Sequence, residues 1–295
     1  MPPDITRDIA ALGNLARTRS LHVLGHSPAQ LQAAVASGAL VRPMRGWVAT
    51  PLAERDAVIA ALHGGMLTSA SALGSQRIWR GLDRSIHVLV PPNSPGRVSR
   101  AAVPLSRFAA PRLLTAGITR HWGSQLWPTG ALDWRASLVD ALAAFALNAD
   151  LEQFVAAVDS ALYTRALRPF EVARLFGILP ARLQGARSLV DGRAESGTES
   201  VARLRFGRMA RTVEIQVSVG RHRIDLLLDG WLAVEIDSEE WHSSNRVEDL
   251  RKSTWLTAQG YRVEHFDYQQ VMHEWVWVER AVREALADPR PPVLR

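Results

Sequence analysis

The chain of 295 residues contains no cysteine. Disulfide bonds and thiolate metal sites are therefore excluded. No apolar run approaches the ~18–20 residues that a membrane-spanning helix needs, and the N-terminus lacks the apolar core of a signal peptide. These absences predict a cytoplasmic protein with no membrane partner.

Lysine is nearly absent as well, because Lys252 is the only one in the chain. The net charge of +6 and the isoelectric point of about 10.7 therefore come almost entirely from arginine. A GC-rich coding sequence, which favours arginine codons, explains part of this bias. Arginine also binds phosphate through its forked guanidinium, so the charge makes a nucleic-acid partner plausible without establishing one.

Residues 222–242 carry the clearest chemical signal. Two apolar runs with a period of two residues flank Asp229-Gly230, which predicts a β-hairpin. The first run contains Asp225, and the second contains Glu235 and Asp237, which share one face of their strand. Burying unpaired carboxylates is costly, so three of them on one apolar hairpin indicate a bound cation.

The length of the hairpin loop decides whether these carboxylates meet. A two-residue loop pairs Leu228 with Trp231 and places Asp225 and Glu235 on opposite faces. A three-residue loop pairs Leu228 with Leu232, so that Asp225 faces Glu235 with Cβ atoms roughly 5 Å apart. Only the three-residue loop, or an equivalent bulge, gives a coherent acidic face, and we therefore predict it.

The C-terminal part of the chain, from residue 198, has the pattern α-β-β-β-α-β-α. The predicted elements are a helix from 198 to about 209, a strand at 213–219, the hairpin, a helix at 245–259, a strand at 261–266 and a last helix from 271 to about 287.

This order, together with its acidic hairpin, resembles the PD-(D/E)XK nuclease core, and more narrowly the very-short-patch-repair-type endonuclease family. The matching motifs are Glu199-Ser200, Arg223-Ile224-Asp225, Val234-Glu235-Ile236-Asp237, Trp241-His242, Asp249, Arg251, Gly260-Tyr261-Arg262-Val263 and Phe266. The resemblance implies a metal-dependent endonuclease that hydrolyses phosphodiester bonds in DNA. It also implies a restriction-endonuclease-like αβββαβ core within an α+β multidomain protein.

The resemblance assigns the metal site to the hairpin. Asp225, Glu235 and the main-chain carbonyl of Ile236 would hold Mg²⁺ or Mn²⁺, which prefer oxygen ligands. Glu199 would complete the site directly or by orienting a water, although a glutamate in a first helical turn also simply complements the helix dipole. His242 would act as a general acid or base, or else pack as a structural histidine.

Other positions of the resemblance depart from the family pattern or act around the metal. Asp237 stands where the motif has its lysine, and its role is open: ligand, base or neither. Arg251 and Lys252 would contact the nucleic acid, and Asp249 and Gln269 would support the site or contact phosphate.

Residues 1–50 are predicted to form a DNA-binding domain of three helices and a small β-wing. The segment from Leu21 to Trp47 resembles the winged-helix domain of AbiEi-like antitoxins. The resemblance implies that Gln30 lies on the recognition helix and that Arg42 and Arg45 on the wing reach DNA. The alternative is a winged helix used for protein contacts.

The remaining residues, 51–190, are predicted to form a mixed α/β and then helical scaffold domain, and residues 191–295 the nuclease-like domain. A strand is expected at 86–90, with further strands near 101–108 and 118–122. The competing function is a non-catalytic, antitoxin-type regulator that keeps the nuclease fold for binding. An RNA substrate and a homodimer are also left open by the sequence.

Overall fold

The computed structural model describes residues 4–95, 98–110, 117–237 and 246–288, and the predicted roles of Trp241 and His242 fall outside these ranges. The protein is a mixed α+β chain with three small sheets. Its contacts group into two compact units. One comprises residues 1–148 and 173–179, and the other residues 149–172 and 180–295. None of the helices among the described residues is long and apolar enough to cross a membrane.

The first unit contains the following helices and strands: α1 (Ile5–Ala11), β1 (Leu15–Arg17), α2 (Thr18–Val23), α3 (Pro28–Ala36), β2 (Trp47–Ala49), α4 (Arg55–Leu62), β3 (Met66–Leu67), α5 (Ser69–Ser75), β4 (Ile86–Val90), β5 (Ile118–Trp122) and α6 (Leu138–Asn148). The helix α8 (Pro169–Ile178) has residues in both units. The second unit contains α7 (Leu151–Tyr163), α9 (Gly197–Phe206), β6 (Val213–Val219), β7 (His222–Leu228), β8 (Leu232–Asp237), α10 (Arg246–Ala258), β9 (Arg262–Asp267), α11 (Tyr268–His273) and α12 (Trp275–Ala287).

The N-terminal segment has a strand that the sequence did not predict. Helix α1 ends at Ala11, because Gly13 and Asn14 take left-handed backbone angles, φ +76° and +66°. The chain then forms β1, which pairs antiparallel with β2. Helices α1, α2 and α3 close over a small core that includes Ile9, Leu21 and Leu31.

The middle of the first unit is built on the three-stranded sheet β3-β4-β5. Strands β4 and β5 are parallel and lie at the predicted positions 86–90 and 118–122. The strand expected near 101–108 is absent, because this segment instead contains a 3-10 turn at Leu105–Arg107.

The second unit carries the four-stranded sheet β6-β7-β8-β9, in which only β8 and β9 are parallel. Helix α9 packs against β6, β7 and α7, and α10 packs against β9. The order from α9 to β9 is the predicted one. The last predicted helix is instead two helices, because the chain breaks at Glu274, between α11 and α12.

A buried ion pair joins α7 to α9. The Asp159 carboxylate has no exposed surface and accepts a hydrogen bond from Arg203 Nη2 at 3.0 Å. Its other oxygen accepts from the main-chain N–H of Asp191 at 2.6 Å. Helix α7 is thus part of the support of the four-stranded sheet, a contact that the sequence did not predict.

Candidate metal centre

The β7–β8 hairpin has the predicted three-residue loop. Leu228 pairs with Leu232 and Leu226 with Val234, so the register, continued by one position, sets Asp225 opposite Glu235. The main-chain N–H of Ile236 donates to Asp225 Oδ2 at 2.9 Å, which fixes one aspartate oxygen against β8. We call these two carboxyl groups, each of which affects the pKa of the other, the acidic pair.

The acidic pair lies in poorly solvated surroundings. Glu235 is 5% exposed. Burial, and then the charge of Asp225, raise the pKa of Glu235 to about 7, although Lys252 opposes the shift. Burial also raises the pKa of Asp225. Both shifts have the sign expected of carboxylates that need a further positive charge in order to ionise together.

Glu199 lies beside the acidic pair on α9. It is the third residue of the helix, where Ser196 Oγ caps its N–H at 3.1 Å. Burial and the charge of Asp225 raise the pKa of Glu199 to about 7. Its Oε2 accepts hydrogen bonds from Gln216 Nε2 at 2.8 Å and from the N–H of Glu195 at 3.0 Å.

Gln216 is a part of the site that the sequence did not predict. It lies in β6 opposite Asp225, between the pairs Ile215–Leu226 and Val217–Ile224. Its φ of +55° is left-handed, which is unusual for a residue with a side chain in the middle of a strand. Such strained positions persist only where the surroundings enforce them, and they cluster at functional sites.

The ammonium of Lys252 lies on the acidic pair, and its predicted contact with nucleic acid stays a prediction. Lys252 Nζ is 2.6 Å from Glu235 Oε2. The lysine reaches this carboxylate from α10, while Asp237 ends strand β8. The sequence could not give this contact, because the rotation of α10 about its axis decides it.

The ligands available to a cation are few. Among the described residues, no three His, Cys, Asp or Glu side chains converge closely enough to hold one metal ion. Glu199 is therefore not a third carboxylate ligand in this arrangement. When both members of the acidic pair are ionised, the buried Glu235 Oε1 has no hydrogen-bond donor. This free oxygen and the Asp225 carboxylate suit a hard divalent ion that keeps several waters, as Mg²⁺ does.

Asp237 ends β8 in an exposed position, next to Asp267 in the register of β9. Burial, together with the charges of Asp249 and Asp267, raises its pKa, while His265 opposes the shift. Lys252, which contacts Glu235, also opposes the shift. Asp237 thus belongs to a more exposed carboxylate group at the ends of β8 and β9.

Comparison with known proteins identifies no relative of this chain. No protein-family model matches the chain, and no curated protein matches it. The function must therefore be argued from the acidic pair and its surroundings.

The other predicted nucleic-acid contacts are exposed. Arg42 and Arg45 flank the turn before β2, and Arg251 lies on α10. Gln30 is exposed on α3, but its side chain has a structural task, because its Oε1 accepts from the N–H of Ser27 at 2.7 Å in a capping box. These residues lie at separate places in the sequence.

Proposed function

We propose that the protein is a Mg²⁺- or Mn²⁺-dependent endonuclease that hydrolyses phosphodiester bonds in DNA. The observation that carries the proposal is the pairing of Asp225 with Glu235 across a three-residue loop, with one buried glutamate oxygen left without a donor. Two buried carboxylates repel each other and lose solvation, so a cation between them is the simplest compensation.

Different residues of the chain would have different roles at the metal site. The acidic pair would hold the ion, with the Ile236 carbonyl as a further oxygen ligand, and Glu199 would orient a water through its fixed carboxylate. A bound Mg²⁺ or Mn²⁺ polarises a phosphate oxygen and lowers the pKa of its water. His242 as general acid or base, and Asp237 near the site, stay predictions.

We further propose that the N-terminal segment is a winged helix that delivers DNA to this site. The support is its order α-β-α-α-β, with β1 against β2 and a turn between α3 and β2 that carries exposed Arg42 and Arg45. Arginines on such a wing contact phosphates, which fixes orientation without reading sequence.

The test is a cleavage assay on supercoiled, linear and single-stranded DNA and on RNA, with Mg²⁺ or Mn²⁺. We expect cutting of DNA by the wild type and at least a hundredfold slower cutting by Asp225→Asn and by Glu235→Gln, as for loss of a residue that acts only through the metal. DNA binding, measured by anisotropy, should survive in both variants. If the wild type binds DNA but cuts no form with either metal, the endonuclease proposal is lost.

A second candidate is a non-catalytic DNA-binding regulator. The observation that favours it is the same N-terminal segment, whose proposed winged helix would bind DNA without a metal. It predicts sequence-selective DNA binding that is unchanged by chelators and by Asp225→Asn, with no cleavage under any condition. Cleavage that requires the acidic pair rejects it.

A further inference from the structure

The only lysine of the chain lies on the acidic pair. The chain has 35 Lys and Arg residues, and every one except Lys252 is arginine. A bias in codon usage explains arginine elsewhere, but it does not explain why the one exception touches a buried carboxylate. The side chain of Lys252 is mostly buried, and Leu256, one turn later on the same face of α10, is fully buried. The ammonium is therefore held in place by the packing of its helix.

The ammonium engages only one of the two glutamate oxygens. Lys252 Nζ contacts Glu235 Oε2, while Oε1 is buried and has no donor when the pair is ionised. A lysine ammonium is a compact point charge, whereas an arginine guanidinium is a planar fork that matches both oxygens of a carboxylate.

The same unit of the protein contains an arginine that binds in this forked way. Arg193 Nε donates to Asp191 Oδ1 at 2.9 Å, and Arg193 Nη2 donates to Asp191 Oδ2 at 2.7 Å. Both oxygens of that aspartate are therefore occupied by one side chain. An equivalent contact on Glu235 would put an N–H donor on both oxygens, so a metal ion would have to compete with that donor for Oε1.

We propose that Lys252 is a positioning residue. It contacts one carboxylate oxygen of Glu235 and leaves the other oxygen available to bind a divalent cation. The inference rests on the proposed metal site of the acidic pair. It explains why a chain that otherwise uses arginine has a lysine at this position. Lysine supplies positive charge and orientation, and its small head leaves the second oxygen uncovered.

The proposal predicts that two substitutions of Lys252 have different effects on cation affinity. Lys252→Arg keeps the charge but covers Glu235 Oε1, so cation affinity should fall about tenfold or more, as for other changes in groups that orient ligands. Lys252→Met removes a positive charge that repels the ion, so affinity should stay equal or rise. Cleavage should slow by about tenfold or more in both variants. Lys252→Arg binds the cation more weakly, and Lys252→Met leaves Glu235 without its orienting contact.

The decisive experiment is Mn²⁺ binding to the full chain at one fixed pH, measured by calorimetry and by electron paramagnetic resonance of free Mn²⁺. Wild type, Lys252→Arg and Lys252→Met are compared, with Asp225→Asn as the variant that should lose binding. The proposal is overturned if Lys252→Arg binds Mn²⁺ as tightly as wild type, or if Lys252→Met loses as much affinity as Lys252→Arg. Either result with normal wild-type binding leaves the nuclease proposal intact, whereas no binding by the wild type rejects both.

Chemical modification of the wild-type protein tests the same point without requiring Lys252→Arg to fold. Guanidination of folded wild-type protein converts the single lysine into an arginine-like fork, and mass spectrometry confirms the modified peptide. The modified protein should lose Mn²⁺ affinity as Lys252→Arg does. Unchanged affinity after complete modification overturns the proposal.

Discussion

Besides Asp159, whose pKa burial raises to about 6, three carboxyl groups around the candidate metal site resist ionisation. The pKa values of Glu199 and Glu235 are raised to about 7, and that of Asp225 is raised as well, mainly by burial. The charge of Asp225 adds to the shift of both glutamates. Each group therefore binds its proton more tightly in the folded than in the unfolded protein, and ionising it without a cation costs free energy of folding.

Without added metal, we expect the melting temperature to fall as the pH is raised from about 5 to about 8. Below the ordinary glutamate pKa of 4.5, Glu199 and Glu235 are protonated in both states and do not affect the free energy of unfolding. Between 4.5 and about 7 the unfolded state ionises first, so stability is lost as the pH rises through the folded pKa. Circular dichroism melts over this pH range measure the slope.

The matched variant for this measurement is Glu235→Gln, which cannot ionise at this position. Its melting temperature should depend less on pH than that of the wild type, and Mg²⁺ should flatten the wild-type curve but not that of the variant. Parallel curves for the two proteins would show that the acidic pair does not carry the pH dependence.

Gln216 permits a second test at the level of one residue, because its left-handed backbone is separable from its side-chain contact. Both Gln216→Ala and Gln216→Gly remove the hydrogen bond to Glu199. Only glycine takes φ +55° without steric cost, so Gln216→Gly should be about 1 kcal/mol more stable than Gln216→Ala. Urea denaturation measures the difference, and equal stability would mean that the residue is not strained.

At the scale of elements, the β7–β8 hairpin depends on Asp229. This residue has φ +50°, and its Oδ1 accepts from the N–H groups of Arg211 at 2.7 Å and Thr212 at 2.9 Å. Together with Gly230, it closes the loop that sets the register of the acidic pair. The loop residue thus acts on the site without touching it.

Replacing Asp229 by alanine should destabilise the protein by about 1–2 kcal/mol, since it loses two hydrogen bonds and retains an unfavourable backbone angle. Asp229→Asn keeps an acceptor and tolerates the left-handed region. Its loss of stability should therefore be only a few tenths of the loss in Asp229→Ala. Chemical denaturation compares the two variants. A loss in Asp229→Asn as large as that in Asp229→Ala would contradict the role given to the side-chain acceptor and backbone angle.

The sequence predicts the elements around the site better than the contacts within it. Period-two alternation and the Asp229-Gly230 turn were sufficient for the hairpin, and its register followed from the requirement that Asp225 and Glu235 share one face. Strand β1 was missed because three residues are too short to show alternation, and the break at Glu274 was missed because the apolar pattern runs through it. Gln216 and Lys252 were not placed at the site, because a backbone angle and a helix rotation leave no periodic trace in the sequence.

At the scale of the whole molecule, the proposed function separates DNA binding from cutting. The double variant Arg42→Gln/Arg45→Gln should bind DNA more weakly, and the slope of log affinity against log salt concentration should decrease by about 2, or about 0.9 for each lost phosphate contact. Anisotropy titrations at several salt concentrations measure the slope.

Asp225→Asn is the control for this measurement, because it should keep the wild-type salt slope while losing cleavage. An unchanged salt slope in the double arginine variant would show that Arg42 and Arg45 do not contact the DNA phosphates. The endonuclease proposal for the acidic pair would then stand or fall on cleavage alone.

The two units are interleaved along the chain, because the backbone passes from one to the other after residues 148, 172 and 179. Helix α7 lies before residue 179, after which the chain passes between the units for the last time. Its Asp159 nevertheless forms an ion pair with Arg203 of α9, the helix that packs against the four-stranded sheet. A gene fragment that begins at residue 180 would leave this guanidinium without its counter-charge. A single recombination point therefore cannot exchange either unit intact.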